Sequence, residues 1–279
     1  MKPETVCTVV FSPTGTSKKI AEAVARGITS GAGAEALKTI DLTHAAAQSA
    51  VLPAGAVAVI AAPVYGGHVA PTAAKRLETL RGSGTPAVVI AVYGNRAFEK
   101  AAAELAALAA RQGFVPVAAA AFVGEHSYST PETPVAAGRP DAQDLARAAE
   151  FGAAVRKKLA AGTPAPVDAA KLKDVHTPLV PMLRFIRFVV GYRRRQKKNP
   201  VVYLPACDAD HCTHCGRCAA ICPTQAIARG DEAHTDPARC IRCCACVKGC
   251  PVGARSFHTP FAAALARSFT RRKQPVTLL

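Results

Sequence analysis

The chain has 279 residues, with no tryptophan and only two methionines, and 5% of its residues are aromatic. Any ring-stacking role must therefore fall to one of five Tyr or ten Phe. No run reaches 18 uninterrupted apolar residues, which excludes a membrane-spanning helix. The N-terminus shows no apolar signal core and no small-residue cleavage site, so the expectation is a soluble, cytoplasmic protein. Disulfides are rare in such a reducing compartment, so a disulfide framework is not expected. Carboxylates are also scarce, at 19 Asp and Glu against 35 Lys and Arg, for a formal charge of +16. The excess is uneven: residues 1–160 hold 16 basic against 12 acidic residues, and residues 161–279 hold 19 against 7. Cysteine is nearly absent before position 200, where Cys7 stands alone, yet ten cysteines follow.

Eight of those ten form two copies of one pattern. Cys212, Cys215, Cys218 and Cys222 precede Pro223; Cys240, Cys243, Cys246 and Cys250 precede Pro251. Each copy reads C-x2-C-x2-C-x3-C-P, the bacterial ferredoxin ligand run, in which the fourth Cys serves the cluster of the other run. The expectation is two [4Fe-4S] clusters, one on Cys212, Cys215, Cys218 and Cys250, the other on Cys240, Cys243, Cys246 and Cys222. Closely spaced cysteines suit a cubane, because a tight loop with two-residue gaps can wrap three iron corners and a distant Cys closes the cage. Zinc is the alternative, since paired C-x2-C units also make four-cysteine zinc sites, but a zinc ribbon does not divide its ligands three and one. Part of the positive charge then balances the clusters, whose ligands must be thiolates. The rest either steers an acidic redox partner or simply solvates the surface. Cys7 and Cys244 read as small buried residues, and Cys207 as a spare thiol near the first cluster.

Residues 1–160 alternate strand and helix. Strands are expected at Val6–Phe11, Ala34–Leu42, Ala56–Ala62, Ala87–Tyr93 and Val115–Val123. Helices are expected after the first strand, with Ile20, Ala23, Val24 and Ile28 on one face, and at Pro71–Leu80, Arg96–Gln112 and Asp141–Ala161. This order implies an α/β parallel sheet with helices on both faces, whose ligand sits beyond the carboxyl ends of the strands. Three strand-end loops stand out. The first is Ser12-Pro13-Thr14-Gly15-Thr16-Ser17, whose hydroxyls and helix-terminal amides suit a phosphate monoester. The others are Pro63-Val64-Tyr65-Gly66-Gly67-His68 and Tyr93-Gly94-Asn95-Arg96. The first loop lacks the G-K-[ST] ending of a triphosphate loop and the G-x-G-x-x-G of a dinucleotide site. Plain helix capping by Ser and Thr is its bland reading.

Together these segments resemble a known pair of folds. The stretch 1–160 is similar to a flavodoxin, and its fusion to twin ferredoxin runs resembles the EFR-type ferrodoxin family. Phe122-Val123-Gly124-Glu125-His126-Ser127-Tyr128, Cys250-Pro251-Val252-Gly253-Ala254-Arg255 and a short C-terminal helix closing on Leu add to the likeness. The resemblance implies that Ser12, Thr14, Gly15, Thr16 and Ser17 hold an FMN phosphate. It implies that Pro63, Val64, Tyr65, Gly66 and Gly67 line the flavin on one side and Tyr93, Gly94, Asn95 and Arg96 on the other, with Tyr65 and Tyr93 as stacking rings. The tryptophan that many flavodoxins place against the ring is missing. His126, Ser127 and Tyr128 are left to the flavin, to the ferredoxin part or to a polar loop with no ligand role. Because neither ring loop contains Asp or Glu, His68 and Arg96 are expected to act as cations that favour the reduced, anionic flavin.

The expected organisation is a flavodoxin-like FMN domain at 1–161 and a basic interdomain linker with a short helix at 162–200. A compact α+β domain for two [4Fe-4S] clusters follows at 201–258, with a C-terminal helix at 259–279. The linker holds an apolar stretch from Pro181 to Val190 and then Arg193, Arg194, Arg195, Lys197 and Lys198, which leaves room for a membrane surface or an acidic partner. The expected activity is electron transfer between FMN and the clusters, joining two-electron to one-electron partners. A flavin reductase of a quinone or activated alkene and an iron–sulfur sensor are the alternatives. No helix-turn-helix or aromatic-basic interleaving supports nucleic-acid binding.

Overall fold

The computed structural model describes residues 5–30, 37–44, 49–162 and 165–279. They form two compact units, one of Met1–Glu125, Gly138–Val175 and Lys273–Leu279, the other of His126–Ala137 and His176–Arg272. The chain thus leaves the first unit twice and returns to it at its end.

The first unit is built on β1 (Thr5–Val10), α1 (Thr16–Thr29), β2 (Leu37–Asp41), β3 (Ala56–Tyr65), α2 (Pro71–Leu77), β4 (Thr85–Tyr93), α3 (Ala101–Arg111), β5 (Phe114–Val123) and α4 (Ala142–Ala160). Parallel pairing runs β2-β1-β3-β4-β5, with Val9 opposite both Ile40 and Ile60, and Ile90 opposite Ala120. This 2-1-3-4-5 order is that of the flavodoxin-like fold, and its switch point lies between the carboxyl ends of β1 and β3. Every residue of β4 is buried, as are nine of ten in β5. Such unbroken apolar strands need cover on both faces. One face carries α1 and α4, which share a core with Val88, Ile90, Val92 and Phe122; α3 packs on the other. The two outer helices touch at backbone distance: a Cβ at Gly27 would lie 2.0 Å from Ala149 O, and one at Gly152 would lie 2.1 Å from Val24 O.

The strands fall where the sequence puts them, with small shifts at their ends; residues 34–36 of the second expected strand lie outside the described residues. The third expected helix starts later, at Ala101 rather than Arg96, because Asn95 and Glu99 hold φ of 62° and 45°, outside the helical region. At the end of the chain the expected helix covers only part of 259–279. After α8 (Pro260–Ser268), the segment Val276–Leu278 becomes β6 and adds antiparallel to β5 in the first unit.

In the second unit the linker helix is long: α5 (Leu179–Lys198) has 20 residues. Pro181 does not break it, because a proline in the first turn forfeits no helical hydrogen bond. Pro200 disfavours helix at Asn199 and ends it. Its inner face sets Phe185, Phe188 and Tyr192 against Phe261 and Leu265 of α8 and against Phe269 just past it, with the Phe188–Phe261 ring centroids 5.0 Å apart. The remainder is short: α6 (Arg217–Ala220), α7 (Ala245–Lys248), and the two-residue strands Ala206–Cys207 and Arg255–Ser256 paired antiparallel.

Candidate functional site

In the first unit, the loop after β1 turns into α1 through Gly15, at φ 81°. Ser12 Oγ accepts from Lys18 N at 3.0 Å, and Ser12 N donates to Thr43 Oγ1 at 2.9 Å. Gly15 N bonds back to Ser12 O at 3.1 Å. The amides of Thr16 and Ser17 open the helix and have no intrahelical acceptor. No acidic residue stands in the first turn, so the positive end of the helix is uncompensated. Ser17 is buried, and its hydroxyl has no protein partner. Gly124, just past β5, lies against this turn: a Cβ there would be 3.1 Å from Thr16 Cβ. The donors, the missing carboxylates and the orphan hydroxyl fit a phosphate.

The second loop is a tight hairpin. Tyr65 pairs with His68 across Gly66 and Gly67, whose φ values of 62° and 94° suit glycine. Gly67 is also pressed by a side chain, since a Cβ there would lie 2.2 Å from Glu99 Oε2. Tyr65 is only partly buried. Tyr93 differs. It is 3% exposed, and its ring packs edge-on to Phe98 with centroids 5.5 Å apart. Tyr93 thus stands at the buried end of β4, with Phe98 against its edge. Burial, and then the Asp174 carboxylate, push its hydroxyl well above the usual phenol range. Gly94 accepts from Arg96 N at 2.9 Å, and Asn95 is buried.

The lone-cation expectation changes. Arg96 pairs with Glu99 at 2.5 Å, and His68 Nδ1 meets Glu104 Oε1 at 2.5 Å. Both carboxylates lie just outside the segments whose lack of acids suggested an unopposed positive charge. Asp174 holds the same loop by accepting from Phe98 N at 2.7 Å and Glu99 N at 3.0 Å, and Lys273 Nζ donates to Arg96 O. Asp174 and Lys273 come from distant parts of the sequence, and no local pattern announces them.

In the second unit the cysteine repeat is also a backbone repeat. His214 and Arg242 have φ of 51° and 55°, Gly216 and Cys244 have 70° and 58°, and Gln225 and Gly253 have 54° and 69°. Each pair is offset in sequence as the two cysteine runs are, so both runs wrap with left-handed residues at the same steps. Gly216 caps α6, and Cys244, at the equivalent place, caps α7 while fully buried. The halves meet closely: a Cβ at Gly249 would lie 2.4 Å from Ile221 Cδ1, and Arg217 Nε donates to Gly249 O at 2.9 Å.

A small pocket is lined by Cys222, Cys240, Cys243, Cys244 and Cys246, with Pro205, Pro223, Ile227 and Ile241 among its apolar walls. Of the eight cysteines in the two runs, the pocket takes three from the second and one from the first, the combination that crossed ligation calls for. Ala226 N donates to Cys222 Sγ at 3.2 Å. Burial pushes the Cys243 thiol up to about 12 and the Cys246 thiol up to about 11, and the nearby Cys222 and Cys240 sulfurs push the same way. Thiols so placed ionise together only when a metal supplies the opposing charge. Among the described residues no three His, Cys, Asp or Glu side chains converge on a single ion. A cubane takes one thiolate per iron, so its ligands stand further apart than those of one zinc.

Of the other set, Cys218 is buried, Cys212 and Cys250 are half-buried and Cys215 is exposed. Burial raises the Cys250 thiol, but the amides of Val252, Arg255, Ala254 and Gly253 outweigh it and hold the thiol below its ordinary value. Burial, and then the neighbouring Cys212 thiol, push the Cys207 thiol up, and Cys7 is buried in the first unit. Arg255 is 4% exposed and donates to Pro205 O at 3.3 Å and to Glu232 O and Thr235 Oγ1. Its charge bears on Cys218, Cys240 and Cys246, from both runs.

His126, Ser127 and Tyr128, for which the sequence leaves three readings open, begin a loop at 126–137 that packs within the cysteine unit. Tyr128 stands 5.0 Å from Phe257, and Ser129 O accepts from Lys248 Nζ at 2.7 Å. Burial pushes the Tyr128 hydroxyl up to about 12, helped by Cys244, Cys240 and Cys243.

Residues 204–258 match the model of the 4Fe-4S dicluster domain. A comparison with curated proteins found no match. Among solved structures, a flavodoxin from the domain Archaea is 16% identical, aligns over 56% of this chain and 99% of its own, and has a TM-score of 0.34. Megasphaera elsdenii flavodoxin is 13% identical over 53% of this chain and 98% of its own, with a TM-score of 0.32. Rubredoxin oxygen:oxidoreductase of Desulfovibrio gigas is 12% identical over 57% of this chain and only 37% of its own, with a TM-score of 0.37. The chain thus joins a segment, 204–258, that matches the 4Fe-4S dicluster domain to an α/β unit with the strand order of the flavodoxin-like fold.

Proposed function

We propose that the first unit binds one FMN, that the second holds two [4Fe-4S] clusters with crossed ligation, and that electrons pass between them. The observation that carries the reading is the pocket joining Cys222 to Cys240, Cys243 and Cys246. FMN supplies two-electron chemistry and each cluster one-electron chemistry, so one chain holding both couples the two kinds of partner.

The chain's own groups have separate tasks. Ser12, Thr14, Gly15, Thr16 and Ser17 receive the phosphate through amides and hydroxyls at the start of α1. Pro63, Val64, Tyr65, Gly66 and Gly67 line one side of the ring, with Tyr65 the partly exposed aromatic. Gly94, Asn95 and Arg96 line the other, with Tyr93 as the packed support beneath. Glu99 opposes Arg96, so the ring loop offers a neutral pair in place of a bare cation. Arg255 sets a buried positive charge among cysteines of both runs and offsets the negative charge of ligation.

Anaerobically purified protein is expected to contain about eight iron, eight sulfide and one FMN per chain. Metal and sulfide analysis with flavin extraction checks this. About four iron, zinc in place of iron, or no extractable flavin would each overturn the assignment.

A further inference from the structure

Among the described residues, seven of the ten exposed large hydrophobics lie between 179 and 202: Leu179, Val180, Leu183, Ile186, Val190, Val201 and Val202. Four of them, Leu179, Leu183, Ile186 and Val190, follow helical spacing of four, three and four, so they form one ridge along α5. The ridge lies opposite the aromatic face that α8 covers, and Leu179 at its start is 69% exposed. The same face continues toward the C-terminus as Arg193, Arg194 and Lys197. In all, α5 carries seven cations and no carboxylate. Among the described residues none of the seven is in an ion pair.

We propose that the outer face of α5 binds an anionic lipid surface, its aliphatic half entering the headgroup boundary and its basic half resting among the phosphates. Charge complementarity and the character of the ridge together select this occupant. An aliphatic ridge ending in Lys and Arg is the pattern of a helix lying in a membrane interface. An acidic protein would need carboxylates in a fixed array matching seven long side chains, and its core contacts would call on aromatic anchors. Here the aromatics of α5 face inward and the outward groups are branched aliphatics, which suit acyl chains. Mobile anionic headgroups satisfy cations in any arrangement. The helix is too charged to cross a bilayer, and no described helix is long and apolar enough to do so. This surface role goes beyond electron transfer and does not depend on which cofactors are bound.

The test is flotation of the full, cofactor-loaded chain with vesicles of phosphatidylcholine mixed with phosphatidylglycerol, and with phosphatidylcholine alone. Binding to the mixed vesicles is expected, weakening as salt screens the charges. A triple variant Arg193→Gln, Arg194→Gln, Lys197→Gln is expected to weaken it about 100-fold, from roughly fivefold per cation. The double variant Leu183→Gln, Ile186→Gln is expected to weaken it as well. Both variants alter exposed side chains only, and unchanged cluster absorption and thermal unfolding verify that they are folded. Four results would overturn the proposal: no flotation at low salt, equal binding to neutral vesicles, full binding by the double variant, or a dimer in sedimentation that the double variant abolishes. The last would assign the ridge to a second copy of the chain.

Discussion

Cys222→Ala is expected to remove the cluster held by Cys240, Cys243 and Cys246, and to lower iron from about eight to about four per chain. Cys222 belongs to the first run by sequence, but it lines the pocket of the second. A double variant identifies which cluster is lost. Cys222→Ala combined with Cys243→Ala should lose no more iron than either change alone, because both act on one cage. Cys222→Ala combined with Cys215→Ala should lose both clusters. Because metal binding contributes folding free energy, the single variant should also unfold at a lower temperature. If Cys222→Ala and Cys215→Ala instead fail to add, the two residues share a cluster and the crossed assignment is wrong.

The second large effect is expected at the turn before α1. Thr14→Ala or Thr16→Ala removes a hydroxyl donor to a charged oxygen, worth about 1.5–3 kcal/mol, or roughly 10- to 150-fold in FMN affinity. Titration of flavin-free protein with FMN, followed by flavin fluorescence, measures it. Ser12 is a poorer test, because its hydroxyl already accepts from Lys18 N and its loss would also loosen the helix start. Affinity unchanged in both Thr variants would mean that the loop only caps a helix.

Much of this is legible in the sequence for physical reasons. Fully buried parallel strands read as apolar runs, and β4 and β5 are such runs. Eight cysteines at fixed gaps, in two copies, mark the segment 204–258 that matches the 4Fe-4S dicluster domain. Other features depend on neighbours that a local pattern does not show. The left-handed Cys244 looks like a spare cysteine until the repeat aligns it with Gly216. Tyr93 gives no sign in the sequence that Phe98 packs against its edge. Arg96 looks unopposed until positive φ at Glu99 turns that carboxylate back toward it. The closing strand β6 is too short for any periodicity, and it is defined by its pairing with Ala119–Ala121. In α5, Pro181 and the basic run suggest a short helix and a strap, whereas first-turn proline and C-terminal cations both suit one long helix.

Electron exchange between flavin and clusters within one chain is tested most directly by photoreduction of the anaerobic, fully loaded protein, with flavin and cluster absorption followed separately after the pulse. Electrons are expected to redistribute between the two sets of bands at a rate independent of protein concentration. A rate proportional to protein concentration, or flavin and cluster bands that relax without reference to each other, would contradict exchange within the chain.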